Sequence, residues 1–358
     1  MRLKKEEETI EILKLIAPGT GIREGLESIL KAKTGALIVI GDSKEVLDVV
    51  DGGFSINEDY TSSRLYELAK MDGAIVLSKD LKKILFANAQ LIPNAGIQTK
   101  ETGTRHRTAE RTAKQTKELV ISISQRRNII TVFKEDFRYV IEETSRLLTK
   151  ANQALQTVEK YKKVFDGKLN ILNEYEFNDI VTLDNVITSI QRAEMVMTMV
   201  AEVQRNIVEL GEEGRLVQMQ LDELIGGLEK EELLIIKDYI APGKKRTPEK
   251  VLNEVISLEY EDLMNSQIIA KILGYEIFDN YDEVGVYTKG YRILDKIPRM
   301  PNNIVENLIK KFKSFQHILS ADIPELDDVE GIGEVRARTI KQSLKRMQEQ
   351  FVFDNLML

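Results

Sequence analysis

Two short segments of the sequence carry the residue types that bind and react phosphate esters. The first, KETGTRHRTAERTAKQTK at Lys100–Lys117, holds six basic residues against two acidic ones, a balance of +4. Within it a Gly-Thr pair and an Arg-His-Arg run follow one another over residues 103–107. Because Thr108–Thr116 has a helical pattern, this donor-rich turn stands at a helix start, where the dipole favours a polyphosphate. An exposed, solvated basic helix is the alternative interpretation.

The second segment is the Asp72-Gly73-Ala74 turn, which precedes an aliphatic run. A carboxylate followed by two small residues leaves room for a ligand, so Asp72 could hold a divalent metal ion or a hydroxyl group. An ordinary Asp-Gly turn is the structural alternative. Metal-bridged phosphoryl chemistry needs an acidic residue facing cationic donors, and the two segments supply these opposite halves.

Other phosphate and hydrolase motifs are missing. The sequence contains no G-x-x-x-x-G-K-[ST], H-E-x-x-H or G-x-S-x-G, which disfavours P-loop ATPases, zincins and serine hydrolases.

His106 is one of only two histidines in the chain. Its position between Arg105 and Arg107 favours the neutral imidazole, so a hydrogen bond to phosphate or ribose is favoured over general acid catalysis. A role in packing alone is the alternative. The other histidine, His317, is expected in the core or on the surface.

A third segment, Glu330-Gly331-Ile332-Gly333-Glu334, has the spacing of a helix-hairpin-helix. The two glycines allow a sharp turn and a close backbone approach, so the amides that follow can bind a phosphate oxygen. The run Val335–Gln348 then contains only basic charges, at Arg336, Arg338, Lys341, Lys345 and Arg346. Such contacts hold the phosphodiester backbone without reading bases. A glycine cap beside a solvated basic helix is the alternative.

The predicted secondary structure that positions these segments changes along the chain, from alternating helices and strands to helices. From Ile10 to about Val140, helical stretches alternate with five strand-like runs, ALIVI, GAIVL, KILFA, LVISIS and NIITVF. Several runs are apolar on both faces, which predicts a sheet covered on both sides. The short connection Arg126–Asn128 predicts an antiparallel hairpin, and therefore a mixed sheet.

The rest of the chain is expected to be helical. Residues from about Phe137 to Ile240 have long helical periodicity with a Met-rich stripe that is expected to be core packing, and Ala241–Lys250 is expected to be a loop. The last part contains two similar helical units, one around PRMPNN and one around EGIGE. PRMPNN has no glycine, so the first unit is expected to brace the second, and a single phosphate-binding hairpin per chain makes oligomerisation useful for avidity.

Composition limits the remaining possibilities. The 358 residues predict two or three domains at roughly 150 residues each. A net charge of −7 means that any polyanion site must be a local basic patch. No cysteine is present, so disulfides and thiol chemistry are excluded and a reducing cytoplasm is expected. Neither a signal peptide nor an apolar run long enough to span a membrane is recognised.

Together DGA at residues 72–74, GTRHRT at 103–108, SQRR at 124–127 and the GIG hairpin resemble one bacterial family, the diadenylate cyclases that scan DNA integrity. The resemblance covers essentially the whole chain, and the DGA and RHR motifs are its specific part. It implies a multidomain α/β plus all-α fold with a cyclase domain at 1–145, a helical spine at 146–285 and a helix-hairpin-helix domain at 286–358. It also implies condensation of two ATP molecules into cyclic di-AMP and two pyrophosphates, with Mg²⁺ or Mn²⁺.

The resemblance carries roles onto matching residues. Asp72 is the implied catalytic residue and metal ligand. The implied ATP-binding residues are Gly73, Ala74, Leu91, Gly103, Thr104, Arg105, His106, Arg107, Thr108, Ser124 and Arg127. The implied DNA-binding residues are Gly331, Ile332, Gly333, Arg336, Arg338 and Lys341. Gln125 and the glycine-free first hairpin are interpreted as local variations on the family pattern.

The resemblance also implies partners and a location. These are an octamer, branched DNA such as Holliday junctions that inhibits the cyclase after DNA damage, and a cytoplasmic, nucleoid-associated protein without membrane contact. One alternative is a non-catalytic ATP-sensing DNA-binding scaffold. Another is a branched-DNA nuclease or a helicase accessory, which the lack of a P-loop and of a clustered acidic nuclease motif disfavours.

Overall fold

Aliphatic runs in the first part of the chain form a mixed β-sheet, as the sequence predicts. The computed structural model describes residues 2–241 and 246–355. Most of the predicted loop Ala241–Lys250 is therefore described, but its residues 242–245 lie outside this range. The strands are β1 (Ala36–Ile40), β2 (Val50–Asp51), β3 (Phe54–Asp59), β4 (Ala74–Leu77), β5 (Lys83–Leu91), β6 (Leu119–Ser124), β7 (Ile129–Lys134) and β8 (Phe137–Ile141).

The strand order is β2-β5-β4-β1-β6-β7-β8, and β3 also pairs with β5. β1 and β4 are parallel, while the other pairings are antiparallel. The predicted hairpin is confirmed, since β6 and β7 pair directly on either side of the Arg126–Asn128 connection. The prediction of helix from Phe137 onward is wrong at its start, because aromatic and β-branched residues there form β8 against β7.

Helices cover both faces of the sheet. The helices of the chain are α1 (Arg2–Leu15), α2 (Gly21–Lys31), α3 (Lys44–Leu47), α4 (Ser62–Leu68), α5 (Thr104–Thr116), α6 (Thr144–Asn178), α7 (Leu183–Leu210), α8 (Arg215–Ile225), α9 (Leu228–Tyr239), α10 (Pro248–Ile256), α11 (Tyr260–Leu263), α12 (Ser266–Leu273), α13 (Tyr291–Asp295), α14 (Asn302–Phe312), α15 (Phe315–Ser320), α16 (Ile323–Asp327) and α17 (Glu334–Asn355). Short 3₁₀ turns lie at Gly211–Gly214 and Tyr281–Glu283. Ile38 of β1 packs in the core that includes α2, and its neighbour Val39 packs in the core that includes α5. Because successive strand residues point to opposite faces, one aliphatic strand supplies both cores.

The expectation of a helical second part is also confirmed. The stripe on α7 is buried core, with Val196, Val200 and Val203 at most 1% exposed and Met195 at 9%. Helices α13 to α17 share one apolar core, which includes Phe177 from the end of α6. None of the described helices combines the length and the apolar character that crossing a bilayer requires.

The chain divides by its contacts into two units. The first comprises residues up to 152 together with 204–218, and the second comprises 153–203 together with 219 onward. The sheet lies in the first unit, whereas α9 to α17 lie in the second.

Candidate active site

Strand register brings three of the predicted segments to one edge of the sheet. Leu37 of β1 pairs with Ala74 of β4, and Ala36 pairs with Ile123 of β6. Because β4 runs parallel to β1 and β6 runs antiparallel, the start of β4 and the end of β6 lie at the same edge. Asp72-Gly73 and Ser124 are therefore neighbours across β1, although they are far apart in sequence.

Asp72 lies on an exposed turn that is held from β5. The Asn88 side-chain amide donates to the backbone carbonyl of Asp72 at 2.8 Å. Gly73 has a φ of +89°, and a Cβ there would lie 2.8 Å from the carbonyl oxygen of Ala89, so glycine is needed for the close approach. Sequence reasoning missed Asn88. Its only sequence signal is that asparagine tolerates a positive φ, here 52°.

The basic segment forms the first turn of α5. This helix begins at Thr104, so the prediction that the helix begins at Thr108 is wrong by a full turn. Gly103 adopts the extended N-cap conformation, and its carbonyl already accepts from the Arg107 N–H at 2.9 Å. The earlier N–H groups of this turn have no acceptor within the helix, and they lie at its positive dipole end. They are available to an anion.

Arg105 crosses from α5 to the edge of the sheet. Its Nη1 donates to the carbonyl of Ile123 at 3.4 Å. A Cβ at Gly35, the residue just before β1, would overlap this guanidinium. Gly35 therefore leaves the space that Arg105 occupies, a role that the sequence pattern did not indicate. Thr104 and Arg107 are exposed, and Thr108 is half-buried.

His106 faces the protein interior. The residue is only 6% exposed. Its Nδ1 lies 3.2 Å from the Ser122 hydroxyl, and its ring packs edge-on against the Phe133 ring, with 6.3 Å between the ring centroids. Burial lowers the pKa of His106, and nearby arginines, Arg127 first, lower it further against the opposing effect of Glu101. The expected neutral form is thus favoured, mainly by burial. The Nε2 atom is buried without a partner, so residue 106 offers a surface ligand chiefly its backbone N–H.

The remaining predicted nucleotide residues are placed less uniformly. The Arg127 backbone N–H donates to the Ser124 hydroxyl, and its Nη2 donates to Thr102, both at 3.2 Å. Ala74 and Leu91 are 1% and 8% exposed and pack in the core beneath α5. Their side chains are therefore mostly occupied by packing.

The number of carboxylates near the site limits how a divalent cation could be bound there. Within residues 2–241 and 246–355, no three His, Cys, Asp or Glu side chains cluster as a metal site. Asp72 is an exposed carboxylate on its own turn. Mg²⁺ commonly binds through one or two carboxylates together with substrate phosphates and water, and this arrangement fits that mode rather than an all-protein cage.

The predicted DNA-binding residues lie in the second unit, around the turn between α16 and α17. Gly331 has a φ of +84°, and Ile332 is 6% exposed in the shared core. Gly333 is exposed with open space around it. The Gly331 carbonyl accepts from Arg336. Lys341 donates to the carbonyls of Leu319 and Ala321 at 2.8 and 2.6 Å.

Of these cations, Arg338 is the most available to a ligand. It is exposed and pairs at 2.5 Å with Glu334, which is exposed as well. Arg336 and Lys341 instead brace the hairpin to which they belong.

Family descriptions and curated relatives match most of this chain. The family description "DisA bacterial checkpoint controller nucleotide-binding" matches residues 23–137, and "DisA bacterial checkpoint controller linker region" matches residues 141–281. The DNA integrity scanning protein DisA of Acetivibrio thermocellus is 56% identical over 98% of this chain and 98% of its own length. DisA of Carboxydothermus hydrogenoformans is 55% identical over 97% and 98%, and DisA of Clostridium botulinum strain Loch Maree is 52% identical over 99% and 100%.

A double mutant of DacA from Staphylococcus aureus is also similar to this chain in structure. It is 21% identical, with a TM-score of 0.30 over 39% of this chain and 90% of that one.

Proposed function

The chain belongs to the family of DNA integrity scanning proteins named DisA, and from that premise we propose that its sheet-edge site makes cyclic di-AMP under the control of branched DNA. The nucleotide-binding match and the identity to DisA relatives make the chain a diadenylate cyclase. The residue roles, the DNA partner and the assembly are the finer parts of the proposal.

The proposed reaction joins two ATP molecules. The ribose 3′-oxygen of each ATP forms a bond to the α-phosphorus of the other, and the bond from that phosphorus to the pyrophosphate oxygen breaks. Two pyrophosphates leave and one cyclic dinucleotide remains. Since we propose one such site per chain, two first units must meet with their sites facing, which makes oligomerisation part of the activity.

The residues at the sheet edge divide the work. Asp72 accepts the proton of the attacking 3′-hydroxyl and would hold the divalent ion. The free N–H groups of Thr104 and His106, with the guanidinium of Arg105, hold the phosphates and favour charge that develops as pyrophosphate leaves. The family implies a divalent cation, for which we propose Mg²⁺ or Mn²⁺; when bound, it would supply positive charge to phosphate oxygens.

The remaining predicted residues have supporting places around these. Gly73 and Ala74 allow the nucleotide to approach the backbone, and Leu91 borders the base. Gly103, Arg107 and Thr108 surround the polyphosphate, and Ser124 and Arg127 approach it from the end of β6.

We further propose that the hairpin at Gly331, Ile332 and Gly333 binds branched DNA such as Holliday junctions. Arg336, Arg338 and Lys341 supply positive charge on or beside that turn. The proposed domains are 1–145, 146–285 and 286–358, assembled as an octamer in the cytoplasm close to the nucleoid. Junction binding slows the cyclase by changing how paired sites align.

The observation that carries the proposal is the meeting of Asp72-Gly73, Arg105 and Ser124 at one edge of the sheet. The test is incubation of the full chain with ATP and Mg²⁺ or Mn²⁺, followed by chromatography of the products. We expect cyclic di-AMP from the wild type and none from Asp72→Asn. Asp42→Asn, which removes an exposed carboxylate beyond the opposite end of β1, is expected to retain activity.

The alternative function gives a different result in the same experiment. Nucleotide binding without product, under both metals, would contradict the cyclase site and favour an ATP-sensing DNA scaffold.

A further inference from the structure

One irregular segment, residues 92–102, leads from β5 directly into the phosphate-binding turn at Gly103. We call this segment the strap. Where the strap rests determines where the first N–H groups of α5 point, because the two are covalently continuous. The strap has no helix or strand of its own, so side chains must hold it.

A row of side chains on α5 holds the strap along its length. Gln115 accepts from the Asn94 N–H at 2.7 Å, Arg111 donates to the carbonyl of Ile97 at 2.9 Å, and Lys114 donates to the carbonyl of Gln98 at 3.1 Å. These contacts hold strap residues 94–98 against α5. The last residues of the strap, next to Gly103, are held by a different side chain, which we call the anchor.

That anchor is Glu110, which is 8% exposed. One carboxylate oxygen accepts from the Thr99 hydroxyl and from the Lys100 N–H at 3.2 Å, and the other accepts from Lys114 at 2.8 Å. The Thr99 hydroxyl in turn accepts from the Glu101 N–H at 3.1 Å. A single buried carboxylate thus orders three consecutive residues of the strap.

The end of the strap is also joined to the sheet. Arg138 on β8 pairs with Glu101 at 2.6 Å, and Arg127 donates to Thr102 at 3.2 Å. Both acidic residues of the basic segment are therefore ion-paired, Glu101 with Arg138 and Glu110 with Lys114, which reduces their repulsion of a polyphosphate. Burial raises the pKa of Glu110, but the hydrogen bonds from Lys114 and Thr99 outweigh this effect and the pKa is lowered. The anchor is therefore charged near neutral pH.

We propose that Glu110 is a positioning residue for ATP: its carboxylate, acting through Thr99, keeps the phosphate-binding turn in its binding-competent conformation before ATP arrives. This inference rests on the proposed role of the turn in ATP binding. Glu110 touches no substrate. Its contribution is to spare ATP the cost of ordering the strap, because an apparent Kd equals the intrinsic Kd divided by the competent fraction.

The test uses the full chain with two sets of variants. Glu110→Ala removes the anchor. Thr99→Val is the milder change, because it removes only the hydroxyl that connects Glu110 to the Glu101 N–H. Thr99→Ser restores the hydroxyl as the conservative rescue. Asp136→Ala is the matched control. Asp136 is a second acidic neighbour of Lys114, at 3.9 Å, but its side chain is 92% exposed, and the hydrogen bonds to the strap described above do not involve it.

We expect the KM and the Kd for ATP to rise about tenfold in Glu110→Ala, as for a strap ordered about a tenth of the time, with kcat within about threefold. Thr99→Val is expected to shift in the same direction, whereas Thr99→Ser and Asp136→Ala stay near the wild type. Hydrogen exchange at the Lys100 and Glu101 amides should speed up in both perturbed variants and slow again when ATP is added.

Two results would overturn the inference: an unchanged Kd in both perturbed variants, or a fall in kcat at constant KM. The calorimetric Kd for ATP is measured whether or not product forms. If the wild type bound ATP without making cyclic di-AMP, the proposed function would fail while the Glu110 inference was still decided by the variants.

Discussion

At the residue scale, the site depends on small residues as much as on charged ones. Arg105 reaches the end of β6 only because Gly35 has no side chain in its path. Gly73 similarly lets the Asp72 turn approach β5. The arginine and the aspartate that we propose for the reaction are therefore each positioned by a nearby glycine, which has no reactive side chain.

Gly35→Ala is expected to weaken ATP binding. The new Cβ would overlap the Arg105 guanidinium, which must move away from the Ile123 carbonyl. Loss of one charged phosphate contact corresponds to about 1.5–3 kcal/mol, so we expect the KM for ATP to rise at least about tenfold in steady-state assays. Gly167→Ala, a position with open space within α6, is the control. An unchanged KM in Gly35→Ala would show that Arg105 does not need its present position.

His106 should make stability depend on pH. Its pKa is lowered from the ordinary value of 6.5, chiefly by burial, so below that value the unfolded chain binds a proton that the folded chain does not. The free energy of unfolding therefore falls as the pH drops through this range. We expect the Tm to fall between about pH 7 and about pH 5, and to fall less steeply in His106→Gln. Equal slopes in the wild type and in His106→Gln would refute the assignment.

At the element scale, a buried ionic network joins three helices of the second unit. Arg292 of α13 is fully buried and pairs with Glu176 of α6 and, at 3.1 Å, with Glu231 of α9. Asp238 at the end of α9 accepts from the backbone N–H groups that begin α13, at 2.7–3.0 Å. All residues of this network lie in the second unit.

Arg292→Ala is expected to lower the free energy of unfolding by about 3–5 kcal/mol, because it leaves buried carboxylates without their partner. Lys345→Ala breaks the ion pair between Lys345 and Glu349, in which both side chains are exposed. It should change the free energy of unfolding by no more than about 0.5 kcal/mol. Urea denaturation of both variants checks this. Equal decreases in the free energy of unfolding would contradict the expected difference between the buried and the exposed ion pair.

At the scale of the whole molecule, the two proposed anion-binding sites are local features of an acidic chain. One is the sheet edge of the first unit and the other is the hairpin after Val329 in the second. The net charge of −7 opposes general adhesion to DNA, so binding should depend on the local cations and on salt. Two copies of each site in a dimer, or more in an octamer, would raise avidity.

Arg338→Ala should weaken binding to junction DNA at every sequence and reduce the slope of log affinity against log salt by about 1. More junction DNA should then be needed to slow cyclic di-AMP synthesis by half. Fluorescence anisotropy over a salt series, with the cyclase assay alongside, measures both effects. Lys310→Ala removes the same charge from the exposed end of α14 and serves as the control. If saturating junction DNA left the rate of cyclic di-AMP synthesis by the wild type unchanged, the proposed coupling would be contradicted.

The sequence by itself determined what depends on neighbours along the chain. Its aliphatic runs marked β1, β4, β5, β6 and β7, and its Gly-Ile-Gly turn marked the start of α17, because periodicity and turn chemistry are local. The start of α5 was predicted one turn too late. β3 was not recognised, since its FSINED run alternates weakly and is mostly exposed.

Only the tertiary structure decided which of these segments meet. Asp72 and Arg105 share an edge because β4, β1 and β6 are adjacent in a strand order that no local pattern encodes. Packing also turned the His106 imidazole inward and assigned Glu110 to the strap. Such pairings depend on which surfaces are buried together, and that is a property of the folded chain as a whole.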